Sequence, residues 1–150
     1  MRSKKIQITI LALIFCFSFI VLNSYADNKG LQSYSISNAM NSMPSDVKAK
    51  IGSFKFYFGE SAGSGAKVLG EIRTEKRSSS FKKSATESCN WAFYSALIDL
   101  KEQTQRLGGN AVANIKSNWK NNPTSSESTY MCDKGFWMSG VAFTGQAVKE

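Results

Sequence analysis

Residues 84–110 read SATESCNWAFYSALIDLKEQTQRLGGN, and this stretch decides the fold. Ser84-Ala85-Thr86-Glu87 is a capping-box pattern. The serine hydroxyl accepts from the backbone N–H three residues on, and the glutamate reaches back to the cap. Behind it Cys89, Phe93, Ala96, Leu97, Leu100, Thr104 and Leu107 recur at steps of three and four. At about 100° per residue they form one apolar stripe. Gly108 or Gly109 supplies the left-handed residue that closes a helix. The spacing predicts one long amphipathic helix that stops on a glycine pair and runs into a strand over 111–116.

A second stripe, Trp91, Tyr94 and Ile98, points away from Cys89 and Leu97. Two readings stay open. Residues 31–51 cover it, since large apolar side chains are usually buried within a domain. Otherwise it is a patch for a partner.

Upstream, Arg2, Lys4 and Lys5 precede an uncharged, largely apolar run over 8–22, followed by Ser24-Tyr25-Ala26. Small residues at −3 and −1 of a cut after Ala26 mark residues 1–26 as a secretory signal peptide. The run falls short of the roughly 20 residues of a membrane span, so none is expected after cleavage. Phe15 before Cys16 speaks against lipidation. The protein is therefore expected to be periplasmic or secreted. Three of the 19 basic residues and none of the 11 acids lie in the signal, so residues 27–150 carry sixteen cations against eleven anions. That surplus is mild and does not call for nucleic acid. Without Cys16 two cysteines remain, Cys89 and Cys132, and an even count in an exported chain predicts one disulfide. Two cysteines and no histidine make a poor zinc site, and no metal or cofactor is expected.

The rest divides into an N-terminal segment, 27–50, and an α+β domain, 51–150. Residues 27–35 read as loose, with short helices near 36–43 and 44–51. Residues 54–58 alternate and are aromatic-rich, as a strand is. The glycine-rich stretch 59–65 reads as a hairpin loop into a second strand, 67–74. A phosphate loop needs an adjacent Gly-Lys-Ser/Thr ahead of a helix, which Gly63-Ser64-Gly65-Ala66-Lys67 lacks. Over 73–83, Arg73, Lys76, Arg77, Lys82 and Lys83 oppose Glu75 alone. This is either a solvated, flexible link into the helix or a docking site for lipopolysaccharide, phospholipid head groups or an acidic protein. Residues 117–128 read as a polar loop with Trp119 as a lid over the core. A short strand at 130–132, a turn at Asp133-Lys134-Gly135 and a last strand over 136–148 follow, with Gly140 and Gly145 marking a bulge or a close backbone approach. The order ββαββ predicts a two-layer domain: a four- or five-stranded mixed or antiparallel sheet under one long helix.

General acid–base chemistry usually needs histidine or paired carboxylates. The chain has no histidine. Its acids are scattered, with Asp99 and Glu102 on the polar side of the helix. Serine and lysine are abundant, but no spacing singles out a pair. The expectation is a non-enzymatic interaction or sensing domain with an envelope protein or an anionic surface as its partner.

The segments Cys89-Asn-Trp-Ala-Phe93, Gly108-Gly-Asn-Ala-Val-Ala-Asn-Ile-Lys-Ser117, Tyr130-Met-Cys132, Gly135, Val141-Ala142 and Gly145-Gln-Ala-Val148, with Phe56-Tyr-Phe-Gly59, resemble a family of small exported bacterial proteins of uncharacterised function. Its members are often labelled "excinuclease ATPase subunit", a label to which this sequence brings no phosphate loop and no zinc-ligand cysteine sets. The arrangement more distantly resembles the sensor lipoprotein of the Rcs envelope-stress phosphorelay and YbjQ-like domains. That likeness implies a bridge from Cys89 at the helix start to Cys132 near the last strand. The lipobox, the proline-rich tether and the second cysteine pair of that lipoprotein have no counterpart here.

Overall fold

The long helix forms where its cap and its stop say it should. Ser84 Oγ accepts from Glu87 N at 3.1 Å, and Gly108 takes φ +80° just past the end. The computed structural model describes residues 30–59 and 65–150. The expected signal segment and the centre of the glycine-rich loop, residues 60–64, lie outside them. In chain order the described elements are β1 (Leu31–Ser35), α1 (Ile36–Asn41), α2 (Ser45–Ile51), β2 (Lys55–Phe58), β3 (Lys67–Ser79), α3 (Ala85–Arg106), β4 (Ala111–Trp119), β5 (Asn122–Thr124), β6 (Thr129–Lys134) and β7 (Met138–Lys149).

β7 is the spine of a mixed sheet. Along one edge it pairs antiparallel with β3, from Lys67 opposite Lys149 to Ser79 opposite Met138. The other edge is shared: β4 pairs with its C-terminal half, β6 with Ser139 and Gly140 near its start. β1 extends the β6 side, β2 lies parallel to β4, and β5 folds back on the end of β4. The α+β class is as expected. The ββαββ order of four or five strands is not: among the described residues the sheet has seven strands.

Each departure has a local cause. β2 and β3 are not hairpin partners; β2 pairs with β4 and β3 with β7. Parallel strands need a long crossover, and the stretch containing β3 and α3 supplies it. Residues 31–35 are a strand rather than a loose lead-in, and Ser35 then caps α1 by accepting from Asn38 N at 3.2 Å. Within the expected 117–128 loop the strand continues to Trp119 and reverses through Lys120 and Asn121, φ 50° and 62°. Two successive residues with positive φ make the turn whose twist suits a tight hairpin. The 73–83 stretch is strand as far as Ser79. Phe136 and Trp137, expected in the last strand, sit in the turn before it.

α3 lies across one face of the sheet. Cys89, Phe93, Ala96, Leu97, Leu100 and Thr104 of its stripe are fully buried, while Leu107 at the C-cap is exposed. Phe93 is the hub: it stacks on Tyr130 at 4.4 Å and meets Phe58 and Phe143 at 5.9 Å each. Such aromatic pairs add about 0.5–1.5 kcal/mol each beyond area burial. One helical turn earlier Cys89 is joined to Cys132, with Cα atoms 5.9 Å apart. Ile36, Ala39, Met43, Val47 and Ile51 enter the same core, so residues 30–51 and the remainder share one interior.

Trp119 lies on the sheet face turned away from α3, not over the core. A Cβ on Gly140 would meet its ring at 2.7 Å. Gly140 is thus the close approach its sequence position implied.

The disulfide closes a separation of 43 residues. Chain-entropy arithmetic puts the loss in Cys89→Ser/Cys132→Ser at roughly 4 kcal/mol. Denaturant titration of the double variant beside the parent chain checks this, and a loss below about 1 kcal/mol contradicts it.

Candidate functional site

The second helix stripe is largely covered by the N-terminal helices. Tyr94 is buried, and its hydroxyl donates to Ala39 O at 2.8 Å beside Ser42 Oγ at 3.2 Å. Trp91 and Ile98 pack half-buried against the same core. Lys101 reaches over to donate to Lys50 O at 2.6 Å and to Ile51 O at 3.2 Å, satisfying carbonyls at the end of α2. An open depression of about 280 Å³ remains where Pro44, Glu87 and Trp91 meet. Of the two readings of this stripe, cover by the same chain accounts for Tyr94 fully and for Trp91 and Ile98 in part.

The basic stretch does not form one face. Strand side chains alternate between faces, and β3 sends Ile72, Thr74, Lys76 and Ser78 towards α3 while Arg73, Glu75 and Arg77 point the other way. Lys76 meets Asp99 at 3.2 Å, and Gln103 also donates to Asp99 at 2.8 Å. Partial burial alone would raise the Asp99 carboxyl; these donors and the Lys76 charge outweigh it and hold it below the usual value. Arg73 donates to Asn121, and Arg77 pairs with Glu75 at 3.0 Å while lying over the Trp119 ring at 5.6 Å. Lys82 and Lys83 sit beyond the strand, in the turn into α3.

That turn meets a second one, and the two build a feature that the sequence reading passed over. Ser80 N donates to Trp137 O at 2.8 Å, tying the β3–α3 turn to the β6–β7 turn. Below them Ser139 Oγ is shared between Ser80 Oγ at 2.9 Å and Ser88 Oγ at 2.8 Å, all three residues buried. Ser78 Oγ adds a bond to Ser88 O at 2.7 Å. On this base stand four exposed apolar side chains: Phe136 is 79% exposed, Trp137 64%, Phe81 59% and Met138 45%. Phe81 and Trp137 stack at 6.5 Å and 22°, and Phe136 meets Trp137 edge-on at 4.8 Å. Lys82 holds its ammonium 5.3 Å from the Phe81 ring centre, on a backbone with φ 56°. Lys134 opens the other turn, where Gly135 is required: a Cβ there would meet Met138 O at 2.6 Å.

Two signals could have revealed this tip. Adjacent aromatics in a strand face opposite sides, so Phe136-Trp137 could not both be core. Phe81 is a lone ring between three serines and two lysines, which no core-facing pattern explains.

A buried polar relay runs on the other side of α3. Tyr130 donates to Asn90 Oδ1 at 2.7 Å, and Asn90 Nδ2 donates to Ser42 Oγ at 3.3 Å. Among the described residues no group of three or more cysteine, aspartate or glutamate side chains comes together that could hold a metal ion, and no helix is long and apolar enough to cross a membrane.

Burial pushes the Tyr130 phenol up, with the neighbouring Tyr94 and Tyr34 adding to the effect. The folded chain therefore keeps this proton where an unfolded tyrosine loses it, from about pH 10 upward. Its contribution to stability is fully present below that pH and is lost as pH rises beyond it. Tyr130→Phe loses the bond to Asn90, costs about 1–2 kcal/mol at neutral pH and flattens the alkaline decline. Denaturant melts at neutral and alkaline pH check this; an equally steep decline in the variant contradicts it.

Compared with family models, curated proteins and solved structures, the chain matches none.

Proposed function

We propose that this protein is a non-catalytic interaction domain of an oxidising compartment outside the cytoplasm, periplasmic or secreted, and that its contact surface is the tip of Phe81, Phe136, Trp137 and Met138. The carrying observation is the cost of that surface. Large apolar side chains are stabilising when buried, by about 1.5–3 kcal/mol each. Four of them stand exposed, three on two turns that are bonded to each other and to the helix start and Met138 at the first residue of β7. A contiguous exposed apolar patch marks an interaction site. The signal-like residues 1–26, the Cys89–Cys132 bridge and the resemblance to small exported proteins all favour an extracytoplasmic setting.

The anionic-surface reading of the basic stretch narrows on the same geometry. Lys76 is committed to Asp99, and Arg77 to Glu75 and Trp119. Lys82 and Lys83 stand at the tip itself.

A photo-crosslinking residue placed at Phe136, in cells that make the protein, tests the reading. The control position is Glu102, on the exposed side of α3. Adducts from 136 and not from 102, on protein carrying the oxidised Cys89–Cys132 bridge, are the expected result. Indistinguishable patterns from the two positions, or a reduced protein, overturn it.

A further inference from the structure

The chemistry of the tip says what it touches. Its four apolar side chains offer on the order of 500 Å² of exposed surface, against about 800 Å² per partner in a stable protein–protein interface. The rings also project from two turns rather than lining a groove. A small convex apolar cap suits a partner that moulds itself around it. The polar residues name that partner's charge. Residues 79–84 and 134–138 hold Lys82, Lys83 and Lys134 and no acid. Aromatic rings with lysines beside them, Lys82 against Phe81 and Lys83 and Lys134 in the same two turns, have the composition of a membrane–water interface, where rings settle at head-group depth and cations meet anionic lipid.

The tip is also built in advance. Phe81 and Trp137 are stacked, the turns share the Ser80 N to Trp137 O bond, and the serine trio fixes both to α3. Lys82 adopts a left-handed backbone that a residue with a side chain seldom takes, and this brings its cation against Phe81. Such strained residues gather at binding sites.

We infer that the tip docks into the surface of an anionic phospholipid bilayer: Phe81, Phe136 and Trp137 enter the boundary between head groups and acyl chains, and Lys82, Lys83 and Lys134 pair with lipid phosphates. This rests on the reading of the tip as the contact surface and adds the partner's identity.

The test uses the full chain with vesicles of equimolar phosphatidylglycerol and phosphatidylcholine, or of phosphatidylcholine alone, carrying brominated acyl chains that quench tryptophan at short range. Trp137 emission is expected to shift to the blue and to be quenched in the anionic vesicles. The quenched component should vanish in Trp137→Ser, leaving Trp91 and Trp119. All variants share the N-terminal apolar run, so differences between them report the tip. Phe136→Ser and Trp137→Ser should each weaken vesicle partitioning about tenfold. Lys82→Gln and Lys83→Gln should each weaken it about fivefold at low salt, and the parent's binding should fall as salt screens the lysines. A Trp91→Phe/Trp119→Phe chain, in which Trp137 alone emits, assigns the quenching to the tip even where a tip substitution impairs folding. Unquenched Trp137, or equal quenching in phosphatidylcholine alone, overturns the inference. Crosslinks from position 136 to protein alone also overturn it while leaving the tip as the contact surface; no tip-specific crosslink removes both.

Discussion

The fold depends on a match of spacings between α3 and β6. Cys89 and Phe93 are one helical turn apart, and four residues of helix rise about 6 Å. Cys132 and Tyr130 are two strand residues apart, about 6.7 Å along a strand. Both pairs therefore meet in one register: sulfur to sulfur at one rung, ring on ring at 4.4 Å at the next. A slip of one residue in β6 would turn Tyr130 and Cys132 to the other face together. The covalent rung thus specifies the aromatic rung. β6 in turn delivers the chain to the turn that carries Phe136 and Trp137, so the clamp also sets where the tip stands relative to the helix.

A second constraint is polar. α3 is flanked by two buried hydrogen-bond systems, the serine trio near its first turn and the Tyr130–Asn90–Ser42 relay along its back. Unsatisfied, such groups cost about 1–3 kcal/mol each, whereas a formed bond returns only about 0.5–1.5. They contribute more to uniqueness than to depth of stability. The trio requires three separate segments, the turn after β3, α3 and β7, to arrive together, and those are the segments bearing or flanking the tip. The relay does the same for β6, α3 and the turn after α1, which is why a helix with two apolar stripes ends up with a cover on each.

The elements with strong local signals were legible in the sequence. Ser84, the buried stripe and Gly108 defined α3; the cysteine count gave the bridge; the aromatic alternation gave β2. What stayed hidden depended on partners remote in sequence. Nothing in residues 54–74 says that β2 prefers β4 to β3, because pairing is decided by which strands share the core. The Lys120-Asn121 turn lacks the usual glycine, so nothing local announces β5. Residues 31–35 alternate too weakly to announce β1, which is held by β6. The tip escaped because it is formed by two turns more than fifty residues apart in the chain.

The basic stretch shows how strand geometry rewrites a charge pattern. Five cations in eleven residues read as one positive region when written in a line. Period two distributes them. The outward positions of β3 run Glu71, Arg73, Glu75, Arg77, alternating in sign, so their fields largely cancel within a few ångströms. The inward Lys76 is neutralised by Asp99. The surplus that survives is Lys82 and Lys83, past the end of the strand, where Lys134 joins from the neighbouring turn. Positive charge and exposed aromatic surface therefore coincide at one end of the sheet, although in the chain Lys82, Lys83 and Phe81 follow β3 while Lys134 and the other rings come some fifty residues later.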